Sequence, residues 1–330
     1  MSPLAIVLLL CAFPPQPPEL EPSLDELWKR AEKLSQMGKV DAAIATFSTI
    51  IRRDPKNWIA WYDRASQWLS RKEYDKAVAD LNEAIRLNPQ ASKAWSGRAS
   101  ARISKGEFTL AIEDCEKAVS LDNRDAHAYY YRGFAKAEAK KTEEAKLDFD
   151  KAIELDPKFG DAYRCRANVL SRLGDFDAAR KDCNEAIGLR AADSGTYYIR
   201  ASAWRFNGEW KKAIEDLDES ILLDRKNPYP YCLRATIKAT CPVDKFRDGK
   251  QALKDAKRGC ELTSWKNGWH LEALAAAYAE LGEYPEAVKW QSKAIDDEAF
   301  FRSRGDSARS RLELFEANKP VRLAPLPVKD

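Results

Sequence analysis

Apolar residues recur along most of the chain at helical spacing, and the helical segments recur in pairs. The whole pattern returns every thirty-four residues. Hairpins start at Leu24, Trp58, Ser92, Ala126, Gly160, Ser194 and Pro228, and an eighth starts near Gly268. The fourth residue of each is large and apolar: Leu27, Trp61, Trp95, Tyr129, Tyr163, Tyr197, Tyr231 and Leu271. The eighth is tiny: Ala31, Ala65, Ala99, Gly133, Ala167, Ala201, Ala235 and Ala275. Small residues let two helix backbones approach, and the large ones fill the groove beside them. A turn follows, written MGKVD from Met37, LGDFD from Leu173 and LGEYP from Leu281, in which glycine supplies the left-handed geometry that stops a helix. A second helix then carries an alanine, such as Ala43, Ala77 or Ala111, followed four residues on by Phe47, Leu81 or Cys115.

This thirty-four-residue period, with its large, small, Gly, Ala and closing Pro55, Pro89 and Pro157 positions, resembles the tetratricopeptide repeat family over Leu24 to about Asp297. The resemblance implies an all-α fold: an α-solenoid of about eight helix-turn-helix hairpins in a right-handed superhelix, with first helices lining the concave face. It also implies a non-catalytic scaffold that binds a peptide or protein segment in that groove. The seventh repeat is degenerate. Pro242 is expected to end its first helix and Val243 to Arg247 to form a longer loop, so the eighth repeat starts forty residues after Pro228. The closing part resembles a terminal module of bacterial repeat proteins. Ala308, Leu312 and Phe315 give a capping helix one apolar side, and the tail beyond Pro320 reads as disordered. The division is therefore a leader and linker over 1–23, one repeat domain over 24–297, and a cap with tail over 298–330.

Charge runs through the array as a ladder. Arg64, Arg98, Arg132, Arg166, Arg200 and Arg234 take the seventh position of their hairpins, and Asp80, Asp114, Asp148, Asp182, Asp216 and Asp255 recur in the second helices. In a regular unit the two are sixteen residues apart with the turn midway, which brings them level in an antiparallel hairpin. They are expected to pair and fix the packing of successive hairpins, because so many acids leave little positive field for an anionic ligand. Arg30 lacks a counterpart, since its repeat carries Thr46.

The face of the first helices left over from packing uses positions two, five, nine, twelve and thirteen. It offers Trp28, Tyr62, His127, Tyr130, Phe134, Asn168, Arg172, Tyr198 and Arg205 as candidate partner-binding residues, with Phe206 beside them. Aromatic and Arg side chains in company are typical of binding hot spots. Repeat domains that clamp a chaperone's terminal carboxylate resemble one another in an Asn just before the seventh residue. Here that place holds Lys29, Asp63, Gly97, Tyr131, Cys165, Ile199 and Leu233, so the clamp is absent.

Composition narrows the function further. With 55 basic against 52 acidic residues the net charge is +3, which gives no chain-wide pull toward nucleic acid. RNA binding stays a minor alternative on the interleaved basic and aromatic residues, and a self-associating structural component is the main one. The two histidines, His127 and His270, lie about four repeats apart, and no Walker loop, GxSxG or HExxH occurs, so no enzyme, small-molecule substrate, cofactor or metal is expected. The seven cysteines include no CxxC pair; Cys115 and Cys183 fall at core positions, and a Cys241–Cys260 bridge is not expected. Pro3 to Phe13 is apolar without a break, too short to span a bilayer but as long as a signal-peptide core. Read so, the protein is exported to the periplasm or beyond; read as an uncleaved leader, it is cytoplasmic.

Overall fold

A computed structural model describes the protein over residues 21–323. The apolar leader, Cys11 and most of the proline-rich linker lie outside the described residues. Among the described residues the chain forms seventeen α-helices and one 3-10 turn and no strand, an all-α repeat array of the solenoid class. The array reads in sequence as one domain, yet it divides into two compact units, Met1–Lys105 and Gly106–Asp330. Repeats touch mainly their neighbours, so a division can fall at any turn.

The N-terminal unit holds α1 (Leu24–Gln36), α2 (Val40–Arg53), α3 (Trp58–Ser70), α4 (Tyr74–Leu87) and α5 (Ser92–Ser104). Ser23 opens α1 with a capping box to Glu26, and Asn57 caps α3 through its side-chain oxygen. Between α1 and α3, Phe47, Ile50 and Ile51 of α2 close over Leu27 and Ala31. Ala65 and Ala77, fully buried, set how closely α3 meets α4.

The C-terminal unit runs through α6 (Phe108–Leu121), α7 (Ala126–Glu138), α8 (Thr142–Leu155), α9 (Gly160–Leu173), α10 (Phe176–Gly188), α11 (Ser194–Phe206) and α12 (Trp210–Leu223). It continues with α13 (Pro228–Thr240), α14 (Gly249–Leu262), α15 (Gly268–Glu280), α16 (Tyr284–Ile295) and α17 (Glu298–Glu316). Glycines with positive φ occupy the turns at Gly174, Gly208 and Gly282; where the glycine is missing, Lys140 takes the same left-handed place at φ 64°. Gly133 serves a different need. A Cβ there would lie 3.0 Å from the Phe149 ring and 3.2 Å from the Ala145 carbonyl oxygen, so α7 and α8 touch through their backbones.

The seventh repeat accommodates its extra residues between helices. The last helical residue of α13 is Thr240, Asp244–Phe246 forms the 3-10 turn, and Asp248 caps α14. Cys241 and Cys260 are buried free thiols. Helix α15 is buried on nearly every side, from His270 to Ala279, and its apolar character all round matches that position. Phe300 of α17 closes over its start, where Gly268 N–H donates to Asp297 Oδ2 at 2.8 Å, and Ala308 and Phe315 are fully buried while Leu312 is half-buried. Helix α17 breaks at Gly305. The stretch read as a disordered tail is corrected at its first residues: Val321 is buried against α15 and α16, and the Leu323 N–H donates to the Thr240 carbonyl at 2.8 Å. An apolar side chain and a backbone bond hold it there. No helix among the described residues is long and apolar enough to cross a membrane.

Candidate functional site

The seventh-position arginines are built into the hairpins. Arg64 grips Asp80 with two bonds of 2.7 Å, Arg166 grips Asp182 at 2.7 and 2.8 Å, and Arg200 grips Asp216 at 2.8 and 2.6 Å. Arg132 reaches Asp148 at 2.6 Å. Arg234 holds Asp255 at 2.7 Å although the two are 21 residues apart, because the added residues lie in the loop and leave both helix phases intact. Arg98 and Asp114 belong to different units. These Asp bonds join the two helices of one hairpin. The link to the preceding hairpin comes from a further guanidinium nitrogen, which reaches Ser48 from Arg64, Asn82 from Arg98, Asp150 from Arg166, Asn184 from Arg200 and Asp218 from Arg234. The fourth-position aromatic supports the same group: Arg64 stacks 4.9 Å over Trp61 and Arg132 5.2 Å over Tyr129.

The electrostatics follow the geometry. Burial pulls Arg132, Arg166 and Arg234 down, but the hydrogen bonds and charge of their carboxylates outweigh it, and all three pKa values rise above the ordinary arginine value. Arg30 is exposed and has no acidic partner among the described residues.

The candidates on the first-helix face fall into three places. Trp28 and Tyr62, in the N-terminal unit, are half-buried and packed on core residues; Trp28 meets Phe47 edge-on at 5.9 Å, and Tyr62 lies among Leu81, Ala84 and their neighbours. In the C-terminal unit the rings of His127 and Tyr130 each lie 4.8 Å from Phe159, and Tyr130 also lies 3.9 Å from Cys165 Sγ. Tyr130 is half-buried against Phe149 and Cys165, and burial pushes its hydroxyl well above its usual pKa.

Phe134, Asn168 and Arg172 come together in a cleft of about 160 Å³ formed by α7, α9 and α11. Arg172 donates to the Ala137 carbonyl at 3.2 Å, Asn168 is exposed, and Phe134 is half-buried. Two arginines and two acids line the cleft, Arg164 and Arg172 with Glu138 and Asp193, so its formal charge is zero. Tyr198 and Arg205 face elsewhere, into a separate cavity of about 540 Å³ among α11, α13, α15 and α17. Sequence reading misses that cavity, because Arg304 and Arg311 reach it from the cap, where no repeat register marks them. No group of three or more His, Cys, Asp or Glu side chains is placed to hold a metal among the described residues.

Three family models, each described as tetratricopeptide repeat, match residues 29–92 with 69–126, 126–159, and 149–181. Among solved structures, the APC/C hetero-tetramer Cut9-Hcn1 aligns over 88% of this chain and 55% of that chain, with 15% identity and a TM-score of 0.59. A tetratricopeptide repeat protein from Parabacteroides merdae aligns over 77% of this chain and 98% of its own, with 19% identity and a TM-score of 0.52. YrrB, a repeat protein with an unusual peptide-binding site, aligns over 56% of this chain and 95% of its own, with 20% identity and a TM-score of 0.45. At these identities the likeness is one of fold. No protein of curated function matches the chain significantly in sequence.

Proposed function

The chain belongs to the tetratricopeptide repeat family, and from that premise we propose that it is a non-catalytic scaffold whose α7–α9–α11 cleft holds an extended segment of a partner protein. The observation that carries this reading is Asn168. Its amide is exposed in the cleft, makes no side-chain hydrogen bond among the described residues, and shares the lining with the Phe134 ring and the Arg172 guanidinium. A side-chain amide offers donors and an acceptor together, which is what a passing peptide bond requires. The cleft's volume of about 160 Å³ lies below the roughly 300–1,000 Å³ typical of small-molecule pockets. It fits one side chain of a longer segment, and its balanced charge favours an apolar one.

Selection of a random peptide library on the full chain tests the reading. Enriched peptides are expected to lose about tenfold or more in affinity when Asn168→Ala and Arg172→Ala are combined, with molar mass by light scattering unchanged. Peptides that bind the double variant as well as the wild type would contradict it. An altered molar mass without peptide enrichment would favour self-association instead.

A further inference from the structure

The cavity among α11, α13, α15 and α17 has a different chemistry from the peptide cleft and shares none of its lining residues. Three guanidinium groups line it, Arg205 from α11 with Arg304 and Arg311 from α17, and the single carboxylate in its wall is Glu272 of α15. Three positive groups against one negative leave a surplus of two charges. Glu272 is shared by two of them: Arg304 donates to its Oε2 at 3.0 Å, and Arg311 Nε lies 3.5 Å from its Oε1, which accepts no hydrogen bond. Arg205 has no ion-pair partner among the described residues, and its buried Nε has no hydrogen-bond partner. Burial and the charges of Arg304 and Arg311 draw its pKa below the ordinary value, against an opposing contribution from Tyr198. A half-buried guanidinium whose buried Nε is unpaired, beside two others, is costly for a fold and calls for a role.

We propose that this cavity binds a small organic phosphate monoester. A phosphate monoester carries about −1.5 to −2 charges near neutral pH on one head, which matches the surplus, and its oxygens suit guanidinium forks. The volume of about 540 Å³ lies within the range of small-molecule sites. Tyr198, Tyr229 and Trp269 supply aromatic wall for a ring-bearing body. This site does not depend on the peptide reading, and either can fail alone.

Calorimetry on the full chain tests it with phenyl phosphate as the probe, and with inorganic phosphate and succinate compared at matched ionic strength. Phenyl phosphate is expected to bind once per chain, more tightly than inorganic phosphate because of the ring and more tightly than succinate because of the head. Raising the salt should weaken it. Arg205→Gln should reduce its affinity by about tenfold to a hundredfold while unfolding at or above the wild-type temperature, since the arginine removed holds nothing together. Arg304→Gln, which leaves Arg311 on Glu272, should weaken binding as well. Absence of binding by phenyl phosphate, undiminished binding in both variants, or tighter binding of succinate would each overturn the proposal.

Discussion

Two sets of arginines in the C-terminal unit behave in opposite ways. Arg132, Arg166, Arg200 and Arg234 each lock onto a carboxylate of the facing helix, and their pKa values are raised. Arg205 and Arg311 face a cavity where guanidiniums outnumber carboxylates, and their pKa values are lowered, with burial the largest cause in both. The residue type is the same and burial acts on both sets. What separates them is the number of acids within reach: each arginine of the first set has a carboxylate of its own, whereas Arg311 shares Glu272 with Arg304 and Arg205 has none.

The largest expected effect lies on the ladder. Arg166→Leu strands the buried Asp182 and removes the bond to Asp150, and should cost about 3–5 kcal/mol in urea unfolding. Adding Asp182→Leu to it should return a good part of that loss. Recovery would show that the cost comes from the uncompensated charge.

Gly133→Ala should come next, at about 1–3 kcal/mol, because the added methyl would press on Phe149 and on the α8 backbone. It widens the hairpin that Arg132 and Asp148 span, and leaves the phosphate cavity untouched. A stability loss together with unchanged phenyl phosphate binding would sharpen the division between the two sets.

Acidity separates two further uncompensated groups. Burial and then Glu32 raise Asp63 to about 6, with Lys93 opposing, so ionised Asp63 weakens the N-terminal unit fully above pH 6. That penalty shrinks as pH falls from about 6 toward the ordinary carboxylate value, so Asp63→Asn should raise the unfolding midpoint more at pH 7.5 than at pH 4.5. His270 has the opposite sign. Burial lowers its pKa, with the Pro228 carbonyl opposing, so the unfolded chain takes up a proton before the folded one does. Stability present above pH 6.5 is therefore lost as pH falls below it, and His270→Gln should flatten that slope. The smallest effect is expected at Lys140, whose left-handed φ of 64° favours glycine; Lys140→Gly should add about 0.5–1 kcal/mol and leave both binding sites as they are.

The hairpins are legible in the sequence because Trp61, Ala65, Ala77 and Leu81 have counterparts at fixed spacing, and packing requires those sizes at those places. The level pairing of Arg64 with Asp80 is legible for the same reason, since antiparallel helices bring residues equidistant from a turn side by side. The bond to the preceding hairpin from Arg64, Arg98, Arg166, Arg200 and Arg234 is not, because it depends on the lateral distance between successive second helices, which no periodicity records. Tyr130 shows another limit. Its spacing places it on the open face, where Phe159, from the loop ahead of α9, lies 4.8 Å from its ring and leaves it half-buried. The phosphate cavity is hidden most completely, since Arg205 lies in the repeat register while Glu272 follows the insertion and Arg304 and Arg311 follow the repeats altogether.

Parallel urea unfolding of Arg166→Leu and Arg205→Gln, without ligand, tests most directly whether paired arginines hold the fold and unpaired ones do not. Arg166→Leu is expected to lose about 3 kcal/mol or more, and Arg205→Gln to lose nothing or to gain slightly. Equal losses in the two variants would contradict this.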